Sequence, residues 1–133
     1  MVIDSSALVA LLLGEPETTE FVTAIAEAPR RLMSASSYLE TAIVMRGRLG
    51  PPAVEQLDRL VDELSIEVVA FTREQAALAI DAYAQYGRGS GHAAALNYGD
   101  CFSYALAKLV EEPLLFKGND FSLTDLVPAV PQS

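Results

Sequence analysis

The chain opens MVIDSSALVALLL (residues 1–13). Val2 and Ile3 read as the centre of a short buried strand, and residues 7–13 form an apolar run of helical length. Asp4 stands between them. An aspartate there weakens a strand and adds nothing to a core, so it caps a helix or belongs to a site completed elsewhere in the chain. Ser5 or Ser6 is the expected N-cap of the helix running through Leu13. No Lys or Arg precedes the apolar run, and Gly14, Glu15 and Pro16 end it well short of membrane-spanning length. The reading is a buried helix of a cytoplasmic protein and not a leader peptide.

The same alternation continues outward from this stretch. TTEFVTAIAEA (residues 18–28) has a helical face of Phe21, Val22, Ile25 and Ala26, and RLMS (residues 31–34) is a second short strand. SSYLETAIVMRGRLG (residues 36–50) places Leu39, Ala42, Ile43 and Met45 or Arg46 at helical spacing. The next helix starts at Pro51 and Pro52, with Val54, Leu57, Val61 and Leu64 as its stripe. IEVVAF (residues 66–71) is a strand, and Thr72 with Gln75 forms a capping-box pattern for the helix after it. A glycine-rich loop, GRGSGH, leads to LNYGDCFSYALAKLV, an apolar helix opening near Asp100. PLLF is a fourth strand, KGNDFSLTD a polar loop, and LVPAV a fifth strand at a sheet edge, because Pro128 cannot donate to a central ladder. Short apolar strands alternating with helices give an α/β fold with a mostly parallel sheet of four to five strands.

Length and composition agree. A chain of 133 residues, 51% hydrophobic and 20% charged, is expected to form one globular domain spanning residues 1–133. The single cysteine, Cys101, excludes a disulfide framework. A net charge of −9 argues against a broad phosphate-binding surface, but not against a small site that meets phosphate through a cation.

In parallel sheets, ligands bind beyond the carboxyl ends of the strands. Asp4 sits at such an end, Asp120 follows the fourth strand, and Asp100 opens an apolar helix. Glu40 lies on the helix after the second strand, flanked by Leu39, Ala42 and Ile43. Singly, each has an ordinary explanation: a helix cap, a turn, an outward-facing helix position. Together they converge on one sheet edge, where clustered carboxylates repel and take up protons unless a cation joins them. Hard oxygen donors suit Mg²⁺ or Mn²⁺, and such an ion serves phosphodiester hydrolysis.

MVIDSSAL, SSYLETAIV, LNYGDCFSYALA and LLFKGNDFSLTD occur in an order and spacing that resembles the PIN domain, most closely the VapC toxins of bacterial toxin–antitoxin pairs. The resemblance covers nearly the whole chain. It implies a three-layer α/β/α fold and an Mg²⁺- or Mn²⁺-dependent endoribonuclease. It implies Asp4, Glu40 and Asp100 as active-site acids, with Asp4 and Asp100 as metal ligands and Glu40 holding a water on the metal or acting as a base. The fourth acid falls among Asn119, Asp120 and Asp125. Asp120 is taken as the further ligand, with Asn119 beside it as a supporting polar group and Ser6 supporting Asp4. The family also implies a VapB-type antitoxin covering the groove, an RNA substrate, a homodimer and no membrane association. The alternative within the family is a PIN domain that has lost its chemistry and acts as a binding partner.

Other features carry less. A receiver-like domain would need an acidic pair at the first strand, where this chain has serines. GRGSGH lacks the ending of a phosphate loop, and His92 within it reads as a surface residue. Arg46, Arg48 and Arg88 are candidates for phosphate contact or for solvated positions. Tyr38, Tyr98 and Tyr104 are candidates for base stacking, with packing the expectation for at least two of them. Cys101 reads as buried and unreactive.

Overall fold

Strands β1 (Val2–Ile3), β2 (Leu32–Ser34), β3 (Glu67–Val69) and β4 (Leu114–Leu115) run parallel in the order β3-β2-β1-β4 in the computed structural model, which describes residues 1–131. Val2 is in register with Leu32 on one side and Leu114 on the other. Parallel neighbours require a crossover between them. Six helices among the described residues fill this role: α1 (Ser5–Leu12), α2 (Thr18–Glu27), α3 (Ala35–Leu49), α4 (Pro52–Glu63), α5 (Arg73–Tyr86) and α6 (Asp100–Val110).

Side chains along the strands alternate between two cores. Ile3, Met33 and Leu115 pack with Leu8, Phe21, Ile25, Leu57 and Val61 of α1, α2 and α4. Val2, Leu32 and Leu114 pack on the opposite face with Ala82, Tyr86, Tyr104 and Leu106 of α5 and α6. The sheet is thus the middle of three layers. Val2, Ile3, Leu8 and Leu106 have no exposed surface, and burying a side chain of this size stabilises the fold by about 1.5–3 kcal/mol.

Two of the crossovers begin without a loop. Asp4 follows β1 directly and caps α1, accepting a hydrogen bond from the Ser6 backbone N–H. Ser34 ends β2 and caps α3, accepting from the Ser36 N–H at 3.2 Å. The two caps, both buried, therefore stand at the carboxyl edge of adjacent central strands. The cap of α1 is Asp4 itself and not Ser5 or Ser6. A carboxylate one residue earlier reaches the Ser6 amide, which leaves both serine hydroxyls for other partners.

Three further expectations change. The fifth strand is reduced to one bridge, Leu114 to Pro128, in which Leu114 N–H donates to Val127 O at 2.9 Å and Ala129 N–H to Leu114 O at 2.8 Å. Pro128 has no N–H with which to extend that ladder. The apolar stripe predicted for α3 splits: Leu39 and Ile43 are 58% and 63% exposed, whereas Ala42 packs on the core and Met45 is buried with Ser37 and Thr41. Ser37 and Thr41 turn inward because their hydroxyls find partners there, Ser37 the hydroxyl of Ser103 on α6 and Thr41 the carbonyl of Ser37. In α4 the buried stripe is Ala53, Leu57 and Val61, with Val54 and Leu64 only half-buried. No helix among the described residues is long and apolar enough to cross a membrane.

Candidate active site

Asp4 is 3% exposed. Its Oδ2 accepts from the Ser6 hydroxyl at 2.6 Å and the Ser6 N–H at 3.1 Å, and its Oδ1 accepts from the Ser103 hydroxyl at 2.5 Å. Burial pushes its pKa up, and the bonds from Ser103 and Ser6 pull it back. The Ser103 hydroxyl in turn lies 3.1 Å from that of Ser37 on α3.

Asp100 begins α6, so its carboxylate stands at the positive end of the helix dipole. A reciprocal pair holds it: Asn97 N–H donates to Asp100 Oδ2 at 3.0 Å, and Asp100 N–H donates to Asn97 Oδ1 at 2.9 Å. Burial pushes the Asp100 carboxyl up to about 7; the Asn97 bond opposes this, and the negative charges of Asp4, Asp120 and Glu40 add to the rise. That mutual repulsion places all four acids in one electrostatic neighbourhood.

Glu40, half-buried on α3, accepts from the Ser5 hydroxyl at 2.7 Å through Oε1. Its Oε2 lies against the backbone of Gly99, only 2.1 Å from where a Cβ on that residue would sit. A side chain at 99 would displace the Glu40 carboxylate, and this close approach is what glycine serves there, because the Gly99 backbone is itself helical, with φ −64°.

The three candidates in the loop after β4 separate. Asp120 is exposed, and its charge reaches Asp100. Asp125 is engaged elsewhere, accepting from the Tyr104 hydroxyl at 2.6 Å and from Lys108 Nζ at 2.8 Å. Asn119 lines a separate polar cavity of about 270 Å³ with Glu17, Glu20 and Lys117. Lys117 links the two places: its ammonium pairs with Glu15 and Glu17, while its backbone N–H donates to Ser6 Oγ at 3.0 Å.

Asp4, Glu40, Asp100 and Asp120 join no ion pair with a side chain among the described residues. Nor do any three acidic, histidine or cysteine side chains there converge as a ready-made chelate. The buried carboxylates are instead held by hydroxyl and amide donors. The donor set still fits a hard divalent cation: Asp4 and Asp100 are carboxylates held by neutral donors, Glu40 and Asp120 add their charge nearby, and all four are hard oxygen donors.

The remaining candidates fall away from this edge or into packing. Tyr38 donates to Asp58, and Tyr104 is buried against Asp125. Tyr98 is 75% exposed and packs edge-on against Phe102, with ring centroids 5.0 Å apart. His92 is exposed, accepts from Ala94 N–H at 3.0 Å and stacks edge-on against Tyr86. Arg46, Arg48 and Arg88 are exposed. Burial, aided by the Asp100 charge, pushes the Cys101 thiol up to about 11, so it stays protonated and a poor nucleophile at neutral pH. Sequence reasoning missed Ser5, Ser37, Asn97, Gly99 and Ser103. For Ser103 there was a signal: it follows Asp100 by three residues, one helical turn along the same face.

Comparison with known proteins places the chain in a family. The PIN domain family profile matches residues 1–126. A Ribonuclease VapC of Mycolicibacterium smegmatis is 53% identical over 126 residues, covering 95% of this chain and 97% of that protein. Ribonuclease VapC30 of Mycobacterium tuberculosis is 51% identical, covering 95% of each. Among solved structures, the sarcin-ricin loop cleaving toxin VapC20 of Mycobacterium tuberculosis superposes with a TM-score of 0.77 over 98% of both chains, at 18% identity. A toxin–antitoxin complex from Klebsiella pneumoniae gives 0.67 over 91% of this chain and 89% of its own, at 19% identity. An acidic sheet edge on this three-layer fold, with half of all positions shared with proteins of one kind, leaves a single conclusion: the chain belongs to the PIN domain family and, within it, to the VapC ribonucleases.

Proposed function

We propose that this chain is the endoribonuclease toxin of a toxin–antitoxin pair, hydrolysing RNA phosphodiester bonds with Mg²⁺ or Mn²⁺ held by Asp4, Asp100 and Asp120. The observation that carries the reading is the pair of buried or half-buried carboxylates at the sheet edge, Asp4 and Asp100, held by hydroxyl and amide donors, with the charges of Glu40 and Asp120 acting on Asp100 and none of the four joined to a cationic side chain among the described residues. Such an edge repels an RNA backbone, so substrate approach and acid placement both call for a cation. When bound, a divalent ion would neutralise the acids, polarise the phosphoryl oxygen and stabilise the leaving oxygen.

The protein's own groups do the rest. Asp4 is fixed by the hydroxyls of Ser6 and Ser103, and Asp100 by Asn97, so neither carboxylate has to reorganise as charge develops on the phosphate. Glu40, set back against Gly99, holds the attacking water or accepts its proton. Asp120 closes the edge from the exposed loop, while Asn119 faces the separate cavity beside Lys117.

The same charge suits the inhibitor. A VapB-type antitoxin would seat a basic side chain among these acids. An exposed apolar face of Leu39, Ile43, Val44 and Tyr98 beside Glu40 supplies the kind of surface a homodimer buries. The chain would act as one PIN domain in the cytoplasm, where its RNA substrate is found.

The test is to incubate the purified, antitoxin-free chain with bacterial RNA in Mg²⁺ or Mn²⁺, beside reactions with EDTA and with Asp100→Asn. Discrete cuts that vanish in both controls support the reading. Wild type and Asp100→Asn behaving alike would overturn it in favour of a PIN domain used only for binding.

A further inference from the structure

Two hydroxyls meet out of solvent behind the acidic edge. Ser37 on α3 and Ser103 on α6 are both 0% exposed, and their oxygens lie 3.1 Å apart. Burying a hydroxyl is unfavourable unless it is hydrogen-bonded, and alanine would fill either position without that cost. Their partner is Asp4, reached by Ser103 at 2.5 Å.

The chemistry fixes the direction of these bonds. An ionised carboxylate only accepts, and a serine has one proton to give. Ser103 therefore gives its proton to Asp4 Oδ1, and Ser37 must be the donor to Ser103. The other oxygen is held the same way. Lys117 N–H donates to Ser6 Oγ at 3.0 Å, and Ser6 gives its proton to Asp4 Oδ2 at 2.6 Å. Each carboxylate oxygen thus meets a hydroxyl whose lone pair is occupied by a donor behind it. Hydrogen bonds in series polarise one another, and the torsion that turns a carboxylate is otherwise broad. The Ser6 N–H adds a third donor to the same carboxylate, which is therefore held from both oxygens.

We propose that Ser37 and Ser103 form a hydroxyl relay that positions Asp4 for cation binding, with Ser103 acting directly on the carboxylate and Ser37 acting only through Ser103. This rests on the reading of Asp4 as a metal ligand. Both serines are positioning residues; neither touches substrate.

The experiment is a titration of the purified full chain with Mn²⁺ alone, reading free ion by electron paramagnetic resonance, with no RNA present. Ser103→Ala is expected to weaken Mn²⁺ binding by about tenfold to a hundredfold, and Ser37→Ala by less. The double variant should bind as Ser103→Ala does, since Ser37 has no other route to Asp4. Circular dichroism melts run in parallel, because a purely structural role would lower the melting temperature and leave Mn²⁺ affinity alone. Wild-type affinity in Ser103→Ala, or additive losses in the double variant, would overturn the relay. Asp4→Asn, which keeps the helix cap, separates the two levels. If it binds Mn²⁺ like wild type, the metal-ligand reading of Asp4 fails as well; if it loses binding while Ser103→Ala does not, only the relay fails.

Discussion

Two groups of acids on this molecule meet opposite fates. Asp125 lies on the loop after β4 and is matched by Lys108 at 2.8 Å and the Tyr104 hydroxyl at 2.6 Å. Although burial opposes it, these partners hold its carboxyl below the ordinary value. Glu15 and Glu17 are both paired with the Lys117 ammonium. Asp100 and Asp4, at the sheet edge, are buried without a cationic side chain, and their carboxyls are raised. An acid that serves the fold is given its counter-charge by the chain. An acid left buried among other acids stores repulsion, a mark of sites that act on something from outside.

The sharpest way to break this comparison is to neutralise one member of each group. Asp100→Asn should lower RNA cleavage by at least roughly a hundredfold, beyond what supporting partners of a metal site are worth. Asp125→Asn should leave cleavage at the wild-type level in the same gel assay. Equal losses would abolish the distinction between the two groups.

Gly99→Ala tests the edge without touching a charge. The new Cβ would lie 2.1 Å from Glu40 Oε2, so Glu40 must move. A shift of about 1 Å costs around a hundredfold in rate where positioning matters. The expected outcome is a loss of that order in single-turnover cleavage, with a wild-type circular dichroism spectrum because the backbone there is already helical.

Stability should follow opposite pH signs in the two regions, read as melting temperatures in EDTA. The Asp100 carboxyl is raised to about 7 in the fold from an ordinary value of 3.8, so between these values the native state holds more protons than the unfolded chain. Wild type therefore loses stability as pH rises through that window. Asp100→Asn removes the loss and should melt several degrees higher at pH 8, with the gap closing towards pH 4. The Asp125 carboxyl is lowered, so its contribution is present above the ordinary value and fades as pH falls through the folded one. Parallel melting curves for Asp100→Asn and wild type across pH would count against the crowding at the edge.

The smallest effect belongs to Asp125→Asn at neutral pH. Its pair with Lys108 is nearly half exposed on both sides, 40% and 45%, and such pairs contribute under about 1 kcal/mol. The bond from the part-buried Tyr104 hydroxyl adds about 1 kcal/mol more. A drop in melting temperature of a few degrees is expected, and none would show that Tyr104 finds another acceptor.

Much of this was legible in the chain. The alternation of apolar strands with helices gave a mostly parallel sheet of four to five strands, of which four formed, because periodicity and breakers are local properties; the three layers came from the resemblance. The stretch MVID followed by an apolar helix placed Asp4 at a strand end, and LNYGDCF placed Asp100 at a helix start. What failed was the inward side of α3. Its most hydrophobic residues, Leu39 and Ile43, point outward, while Ser37 and Thr41 face in. A buried helix side need not be apolar throughout: Met45 and Ala42 keep the apolar contacts while Ser37 meets the Ser103 hydroxyl.

The sequence by itself determined the sheet, its carboxyl edge and the acids able to reach that edge. Tertiary structure decided which donors hold them. Ser103 meets Asp4 across 99 residues of chain, and Glu40 fits only because Gly99 on another segment lacks a side chain. Hydrogen bonds of this kind depend on tenths of an ångström between elements distant in the chain, a distance that residue spacing does not encode.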